Sequence, residues 1–140
     1  MSDSPVNPKE TIIISEDSPP NRKILAHLLN KMGYEVVACE DGAKAWEQLS
    51  SGKHENVVAI ISDIMMPNMD GIELLKNVRS NYKTPDIPFV LVTAVSERDY
   101  IVEAKKQNVN GYILKPVTFQ RVTAKLSELF PSKVFPKSAS

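Results

Sequence analysis

Residues 57–67, which read VVAIISDIMMP, are the most informative stretch of this chain for its fold. A continuous apolar run rich in Val and Ile is typical of a strand buried on both faces, as in a parallel sheet. The run ends at one carboxylate, Asp63, and the following Pro67 and Asp70-Gly71 indicate a loop. In open α/β sheets, ligands bind outside the carboxyl ends of the strands. Asp63 is therefore predicted at the edge of the sheet where such folds carry out their chemistry.

Four further β-branched or apolar runs are predicted as strands, and segments with apolar residues at helical spacing alternate with them. The four runs are Thr11–Ser15, Tyr34–Cys39, Phe89–Thr93 and Gly111–Leu114. Residues typical of helix starts precede the helical segments: Ser18, Asp41, Asp70, Ser96 or Glu97, and Thr118. With right-handed crossovers, this alternation predicts an α/β fold of (βα)₅ type, a doubly wound parallel sheet of five strands in three layers.

Composition limits the possible classes. The chain has 140 residues, enough for one domain, and 17 basic residues balance 17 acidic ones, which disfavours nucleic-acid binding. No apolar run approaches a membrane span, and no secretion signal pattern opens the sequence. Cys39 is the single cysteine, so an internal disulfide is excluded and the cytoplasm is the expected compartment. We predict the domain at residues 11–130, between a leader (1–10) and a tail (131–140) expected to be flexible.

Polar residues follow or end four of the five predicted strands. They are Glu16 and Asp17 after the first strand, Asp63 at the end of the third, Thr93 at the end of the fourth and Lys115 after the fifth. In the flavodoxin-like strand order 2-1-3-4-5, these four strands are neighbours and their carboxyl ends meet at one edge. We therefore expect three carboxylates, a hydroxyl and an ammonium to converge on one shallow cleft.

The chemistry of this predicted cleft suits phosphoryl transfer. Clustered carboxylates repel one another, which raises their pKa values unless a cation binds, and Mg²⁺ prefers a few hard oxygen ligands of this kind. Lys115 and Thr93 would bind an incoming phosphoryl group as a point charge and a hydrogen-bond donor. Because phosphoryl transfer depends mainly on positioning and charge neutralisation, Asp63 is the candidate nucleophile and would form an acyl phosphate.

Simpler interpretations exist for the individual residues. Asp17 alone could be a helix cap, and Thr93 could be an ordinary strand residue. We interpret Asp70 as a cap, His27 as a solvated residue on a helix surface, and the three methionines between residues 65 and 69 as loop packing. Only the joint occurrence of the polar residues at the correct strand ends favours a site.

Five motifs together form the pattern of a known family. They are the pair Glu16-Asp17, Asp63, Asp70-Gly71 after the Met-Pro loop, Thr93-Ala94, and Tyr112 followed by Lys115-Pro116. On these motifs the chain resembles the receiver domain of two-component response regulators, including the chemotaxis regulators. The resemblance implies that Asp63 accepts a phosphoryl group from a phosphohistidine on a sensor histidine kinase or a histidine phosphotransfer protein. It also implies a signalling switch that controls a downstream partner, rather than an enzyme acting on external substrates.

The resemblance assigns roles to the remaining residues. The implied Mg²⁺ ligands are Asp17, Asp63 and the backbone carbonyl of Met65, with Glu16 acting through water. The implied phosphate-binding residues are Thr93, Ala94 and Lys115. Tyr112 would swing inward when Thr93 moves towards the phosphate, and the Lys115–Pro116 bond would be cis. The output surface would be the fourth helix, the fifth strand and the fifth helix, and phosphorylation-dependent formation of a homodimer stays open.

Two positions are expected to tune the loss of phosphate. Met65 and Val95 stand two residues after Asp63 and Thr93, where the family resemblance places the path of the hydrolytic water. Both are apolar, so neither can hydrogen-bond a water for in-line attack. We expect the phosphorylated form to be long-lived compared with chemotaxis-type receivers, which carry polar residues there.

Other classes are weighed against the receiver. An aspartate-nucleophile phosphatase would carry a second Asp two residues after the nucleophile, where this chain has Met65. A flavodoxin-like cofactor binder would need a loop rich in Ser, Thr and Gly after the first strand, where Glu16 and Asp17 would repel a flavin phosphate. A receiver that has lost phosphorylation is disfavoured because all expected site residues are present. A stand-alone receiver and a piece of a hybrid kinase or longer regulator both remain open.

Overall fold

The computed structural model describes residues 10–54, 56–81, 83–133 and 135, in which five strands alternate with five α-helices. The strands are β1 (Thr11–Ser15), β2 (Glu35–Cys39), β3 (Val57–Asp63), β4 (Phe89–Thr93) and β5 (Gly111–Leu114). The helices are α1 (Pro19–Lys31), α2 (Gly42–Ser50), α3 (Gly71–Ser80), α4 (Arg98–Lys106) and α5 (Phe119–Leu129). The predicted alternation is confirmed, with a 3₁₀ turn at Val95–Glu97 directly before α4.

All five strands pair in parallel, in the order β2-β1-β3-β4-β5. β3 lies at the centre, with Ser62 opposite Ser15 of β1 and with β4 on its other side. This central place explains the continuous apolar run, because helices cover a parallel sheet on both faces and residues Ala59–Asp63 are all buried. The predicted flavodoxin-like order is confirmed, so the carboxyl ends of β1, β3, β4 and β5 lie side by side.

Two apolar clusters cover the two faces of the sheet. α1 and α5 pack on one face through Leu29 and Leu126, and α2, α3 and α4 pack on the other through Ala45, Leu75 and Ala104. The three isoleucines of β1 alternate between the clusters, because successive strand residues point to opposite faces. The predicted arrangement in three layers is therefore confirmed.

Three helices begin with the predicted capping contact. The side chains of Asp41, Asp70 and Thr118 each accept a hydrogen bond from the backbone N–H three residues further on. Ser18 also directly precedes its helix, but within the described chain its hydroxyl makes no capping hydrogen bond. The expected cap at Ser18 is therefore one of position and not of side-chain contact.

Residues at the start of the C-terminal tail contact the domain. Lys133 forms an ion pair with Glu10 and lies 5.2 Å from the ring centre of Tyr34. The ring of Phe135 lies 6.3 Å from the same tyrosine ring. Aromatic and cation–π contacts of this kind explain why the chain stays on the domain after α5. Residues 1–9, 134 and 136–140 of the predicted leader and tail lie outside the described part of the chain. Among the described residues, no helix is long and apolar enough to cross a membrane.

Candidate functional site

Three carboxylates meet at the carboxyl ends of β1 and β3. Glu16 and Asp17 follow β1, Asp63 is the last residue of β3, and the pairing of Ser15 with Ser62 brings the two strand ends together. One oxygen from each of the three carboxylates lies within 4.8 Å of the others. Glu16 and Asp63 are only 5% and 4% exposed, whereas Asp17 is exposed. The structure therefore brings together the three carboxylates that the sequence placed at neighbouring strand ends.

Lys115 adds a positive charge to this cluster from the end of β5. Its ammonium lies 3.0 Å from one carboxylate oxygen of Asp63 and 3.1 Å from the other. Burial of the ammonium opposes its charged form, but the hydrogen bond to Asp63 and the charges of Asp63, Glu16 and Glu97 outweigh burial and raise the pKa of Lys115. The backbone N–H of Ile64 also donates to Asp63, at 3.0 Å. A cation and a backbone donor thus hold the Asp63 side chain in place.

The surroundings of Glu16 raise its pKa to about 7. Burial is the main cause, and the charge of Asp63 and a hydrogen bond with Asp17 act in the same direction. Two contacts lower the pKa of Glu16 but do not outweigh these causes. They are the hydrogen bond from the Ser18 N–H to Glu16 Oε2, at 3.0 Å, and the charge of Lys115. The pKa of Glu16 thus reflects mainly its burial, whereas the close approach of the three carboxylates is the feature that a cation placed among them would balance.

The end of β4 supplies a hydroxyl group and a backbone donor. Thr93 is 3% exposed, and its hydroxyl donates to the carbonyl of Ala94 at 3.1 Å. The N–H of Ala94 donates to a carboxylate oxygen of Glu97 at 2.7 Å. The sequence pattern indicates Glu97 only as a possible helix start. The acidic residue three positions after Ala94 is a capping-box spacing, which is the signal that could have revealed this contact.

Tyr112 connects β5 with α4. Its side chain is half-buried against the cluster that includes α3 and α4, and its hydroxyl lies 3.4 Å from the carbonyl oxygen of Ile101. Burial raises the pKa of the Tyr112 hydroxyl. The peptide bond between Lys115 and Pro116, just after β5, is cis.

The loop after β3 exposes the residue that the sequence associates with phosphate loss. Met65 is 50% exposed, because the preceding Ile64 takes the fully buried place in this loop. The expected loop packing is therefore wrong for Met65, although it holds for Met69, which packs against the core. The side chain of Val95 lies outside the described part of the structure.

The same loop is anchored to the start of α2 by contacts that sequence analysis missed. Asn68, with a φ of 68°, donates its amide to Asp41 at 2.7 Å, and the N–H of Gly42 donates to the carbonyl of Met69 at 3.1 Å. Burial of Asp41 works to raise its pKa, but the hydrogen bonds from Lys44 and Asn68 outweigh burial and lower it. Asp41 was predicted only as a cap, since nothing local points to a partner 27 residues away.

Comparison with known proteins agrees with this geometry. A family model described as the response regulator receiver domain matches residues 12–127. The chemotaxis protein CheY of Pseudomonas aeruginosa is 38% identical over 120 residues, which cover 85% of this chain and 94% of that protein. A CheY homolog of Campylobacter jejuni is 36% identical over 119 residues, which cover 84% of this chain and 90% of that protein.

Solved structures share the fold over nearly their whole length. CheY4 of Vibrio cholerae has a TM-score of 0.79 at 26% identity, covering 88% of this chain and 100% of that one. The receiver domain of a signal transduction histidine kinase from Syntrophus aciditrophicus has a TM-score of 0.77 at 27% identity, covering 94% of this chain and 97% of that one. These matches favour the receiver over the phosphatase and flavodoxin alternatives. The chain belongs to the response regulator receiver domain family, the phosphoacceptor domains of two-component signal transduction.

Proposed function

We propose that Asp63 is the residue of this receiver domain that accepts the phosphoryl group. The observation that carries the proposal is the 3.0 Å contact between the buried Asp63 carboxylate and the Lys115 ammonium, inside the cluster with Glu16 and Asp17. An Asp63 oxygen would attack the phosphorus of a phosphohistidine, forming a P–O bond as the P–N bond breaks. The imidazole would leave with the electron pair of that bond and take up a proton. The product would be an acyl phosphate on Asp63.

The proposed donor is a phosphohistidine on a sensor histidine kinase or a histidine phosphotransfer protein, met in the cytoplasm. A cavity of about 410 Å³ beside the site supports an approach between α1 and the segment that follows β5. Its lining joins two site residues to residues of α1 and of the segment after β5: Glu16, Lys115, Asn21, Ile24, Pro116 and Val117. Ile24 is 50% exposed, so it offers the donor an apolar contact next to the site.

We propose Mg²⁺ as the metal of this site, because the donor set consists of hard oxygens. Asp17, Asp63 and the backbone carbonyl of Met65 would hold the ion, and Glu16 would act through water. The geometry supports a cation at this place, because oxygens of Glu16, Asp17 and Asp63 lie within 4.8 Å of one another and a cation would balance their charge. Bound there, the ion would neutralise charge on the phosphoryl oxygens.

Three groups are proposed to bind the phosphoryl oxygens: the Lys115 ammonium, the Thr93 hydroxyl and the Ala94 N–H. Lys115 already touches Asp63 and needs only a small movement to contact a phosphoryl group on it. The hydroxyl of Thr93 now donates to the Ala94 carbonyl and would have to turn towards the phosphate. Each contact would be a charge-assisted hydrogen bond.

We propose that phosphorylation causes a conformational change that extends from Thr93 to the surface formed by α4, β5 and α5. Tyr112, whose hydroxyl contacts the Ile101 carbonyl, would move inward as Thr93 turns. This surface exposes Val102 by 61% and Leu114 by 43%, which supports an apolar contact with a downstream partner protein. We also propose to test whether a second copy of this chain binds this surface after phosphorylation.

The first experiment is the intact-protein mass after incubation with Mg²⁺ and acetyl phosphate. We expect a gain of one phosphate that requires Mg²⁺ and is absent in Asp63→Asn. Asp70→Asn is the matched control, because it changes a carboxylate seven residues away that caps α3, and it should still be phosphorylated. A gain that persists in Asp63→Asn, or that is lost equally in Asp70→Asn, would contradict the assignment.

We propose that the phosphorylated form loses its phosphate slowly compared with chemotaxis-type receivers. Met65 presents an exposed apolar side chain two residues after Asp63, and Val95 is the apolar residue two positions after Thr93. An apolar group cannot orient a water by hydrogen bonding, so in-line attack on the acyl phosphate would lack positioning.

A further inference from the structure

One contact beside the site has no role in the transfer described above. Glu97 Oε1 accepts a hydrogen bond from the Ala94 N–H at 2.7 Å, and the Glu97 N–H donates back to the Ala94 carbonyl at 3.0 Å. These reciprocal bonds close the 3₁₀ turn Val95–Glu97 ahead of α4. Glu97 is only 9% exposed. A carboxylate that is nearly buried costs free energy unless it is paired, so the Ala94 N–H is an important partner for it.

The Glu97 carboxylate also lies in the electric field of the site. Its charge is one cause of the raised pKa of Lys115, whose ammonium contacts Asp63. Glu97 therefore adds negative charge on the β4 side of a site that already contains three carboxylates. A phosphoryl group on Asp63 would bring further negative charge to the same place.

We infer that Glu97 is an internal competitor for the phosphoryl group: it occupies the Ala94 N–H before phosphorylation and is expelled from it afterwards. The inference rests on the proposed roles of Asp63 and Ala94. An N–H group has one hydrogen and serves one acceptor well, so the Glu97 carboxylate and a phosphoryl oxygen exclude each other at this donor. Repulsion between the two negative groups reinforces the exclusion. The Glu97 carboxylate thus lowers the affinity of the site for a phosphoryl group.

Expulsion of Glu97 has a consequence for α4. The turn before the helix loses the side-chain half of its reciprocal cap, which loosens the start of α4. The next turn of that helix carries Ile101, whose carbonyl contacts the Tyr112 hydroxyl. Release of Glu97 therefore links the phosphoryl group to the face of α4, in addition to the movement of Thr93.

The test uses beryllofluoride with Mg²⁺ as the phosphoryl probe and measures its affinity by fluorine NMR of the bound form. Glu97→Ala is expected to bind the probe roughly five- to tenfold more tightly than wild type, because one charge-assisted hydrogen bond no longer competes. Glu97→Gln keeps an acceptor without the charge and should fall between the two. Asp99→Ala is the matched control, since it removes the same charge from an exposed position in the first turn of α4 and should leave the affinity unchanged.

A second readout is the amide proton resonance of Ala94. It should move upfield in Glu97→Ala, and it should also shift in wild type when the probe binds. A purely structural role for Glu97 would lower stability and affinity together, so a tighter variant separates the two explanations. The inference is overturned if folded Glu97→Gln and Glu97→Ala bind the probe no more tightly than wild type. If wild type still binds the probe and Asp63→Asn does not, the proposed function stands. Failure of wild type to bind the probe overturns the proposed function as well.

Discussion

Met65 is the residue at which the identity of one side chain is expected to set the lifetime of a signal. It is half exposed in the loop that follows Asp63, and its backbone carbonyl is a proposed metal ligand, whereas its thioether side chain offers nothing to orient a water. The backbone role does not depend on the side chain. A substitution at Met65 can therefore change hydrolysis and leave the proposed metal site in place.

We predict that Met65→Asn combined with Val95→Glu accelerates phosphate loss by roughly tenfold, because polar groups then position the attacking water. The measurement is the decay of the phosphorylated mass after acetyl phosphate is removed. Met66→Asn is the control, since it places the same amide one residue further along the loop. Decay as slow as that of wild type would contradict the proposed role of the two apolar residues.

At the scale of elements, the end of β3 is pressed against the start of α3. The N–H of Gly71 donates to the carbonyl of Ile64 at 2.8 Å. A Cβ atom at Gly71 would lie 2.3 Å from the carbonyl oxygen of Asp63 and 3.0 Å from Leu91 Cδ2. Strand and helix can approach this closely only because position 71 has no side chain.

Gly71→Ala is predicted to lower the free energy of unfolding by about 2 kcal/mol and to slow phosphorylation, because the backbone that carries the Asp63 carboxylate must shift. Urea unfolding and the acetyl phosphate mass assay measure the two effects. The control is Gly111→Ala, where the nearest atoms to a new Cβ all belong to the flexible side chain of Lys125. Equal losses in both variants would show that the contact with Asp63 is not the cause.

In the molecule as a whole, the proposed phosphorylation site and the main contacts of Arg79 lie at opposite ends of the strands. Arg79, near the end of α3, ties together the segments that lead into β4 and β5. Its guanidinium donates to the carbonyl oxygens of Pro85, Ile87, Gln107 and Asn108 and to the side-chain oxygen of Asn110. The planar fork of Arg suits several acceptors at once, which Lys could not satisfy.

Arg79→Met is predicted to lower the free energy of unfolding by about 2 kcal/mol or more, since several carbonyl groups lose a charged donor. Phosphorylation of the folded fraction should be unchanged, because Arg79 contacts the segments that precede β4 and β5, whereas Asp63 lies at the carboxyl end of β3. Urea unfolding and the mass assay again provide the measurements, with Lys105→Met as a control that removes a cation from an exposed position on α4. Lost phosphorylation in a variant of unchanged stability would contradict this separation.

The alternation of strands and helices and the residues at each strand end are predictable from the sequence alone. These features follow from local patterns. A continuous apolar run such as Val57–Asp63 indicates burial on two faces, and the capping residues indicate where helices begin. Once the strand order is known, parallel pairing carries Glu16, Asp17 and Asp63 to the same edge. The acidic cluster was therefore predictable without coordinates.

The neighbours of those residues depend on how separate helices and strands pack together. The bond between Asp41 and Asn68 spans 27 residues, and the ring of Phe135 meets Tyr34 from the far end of the chain. Periodicity reports whether a residue is buried but not against what, because the partner comes from another element. The contact of Glu97 with Ala94 is local, yet its meaning depends on Lys115 and Asp63, which β5 and β3 bring beside it. The packing of separate helices and strands thus determines which partners each hydrogen-bond donor has.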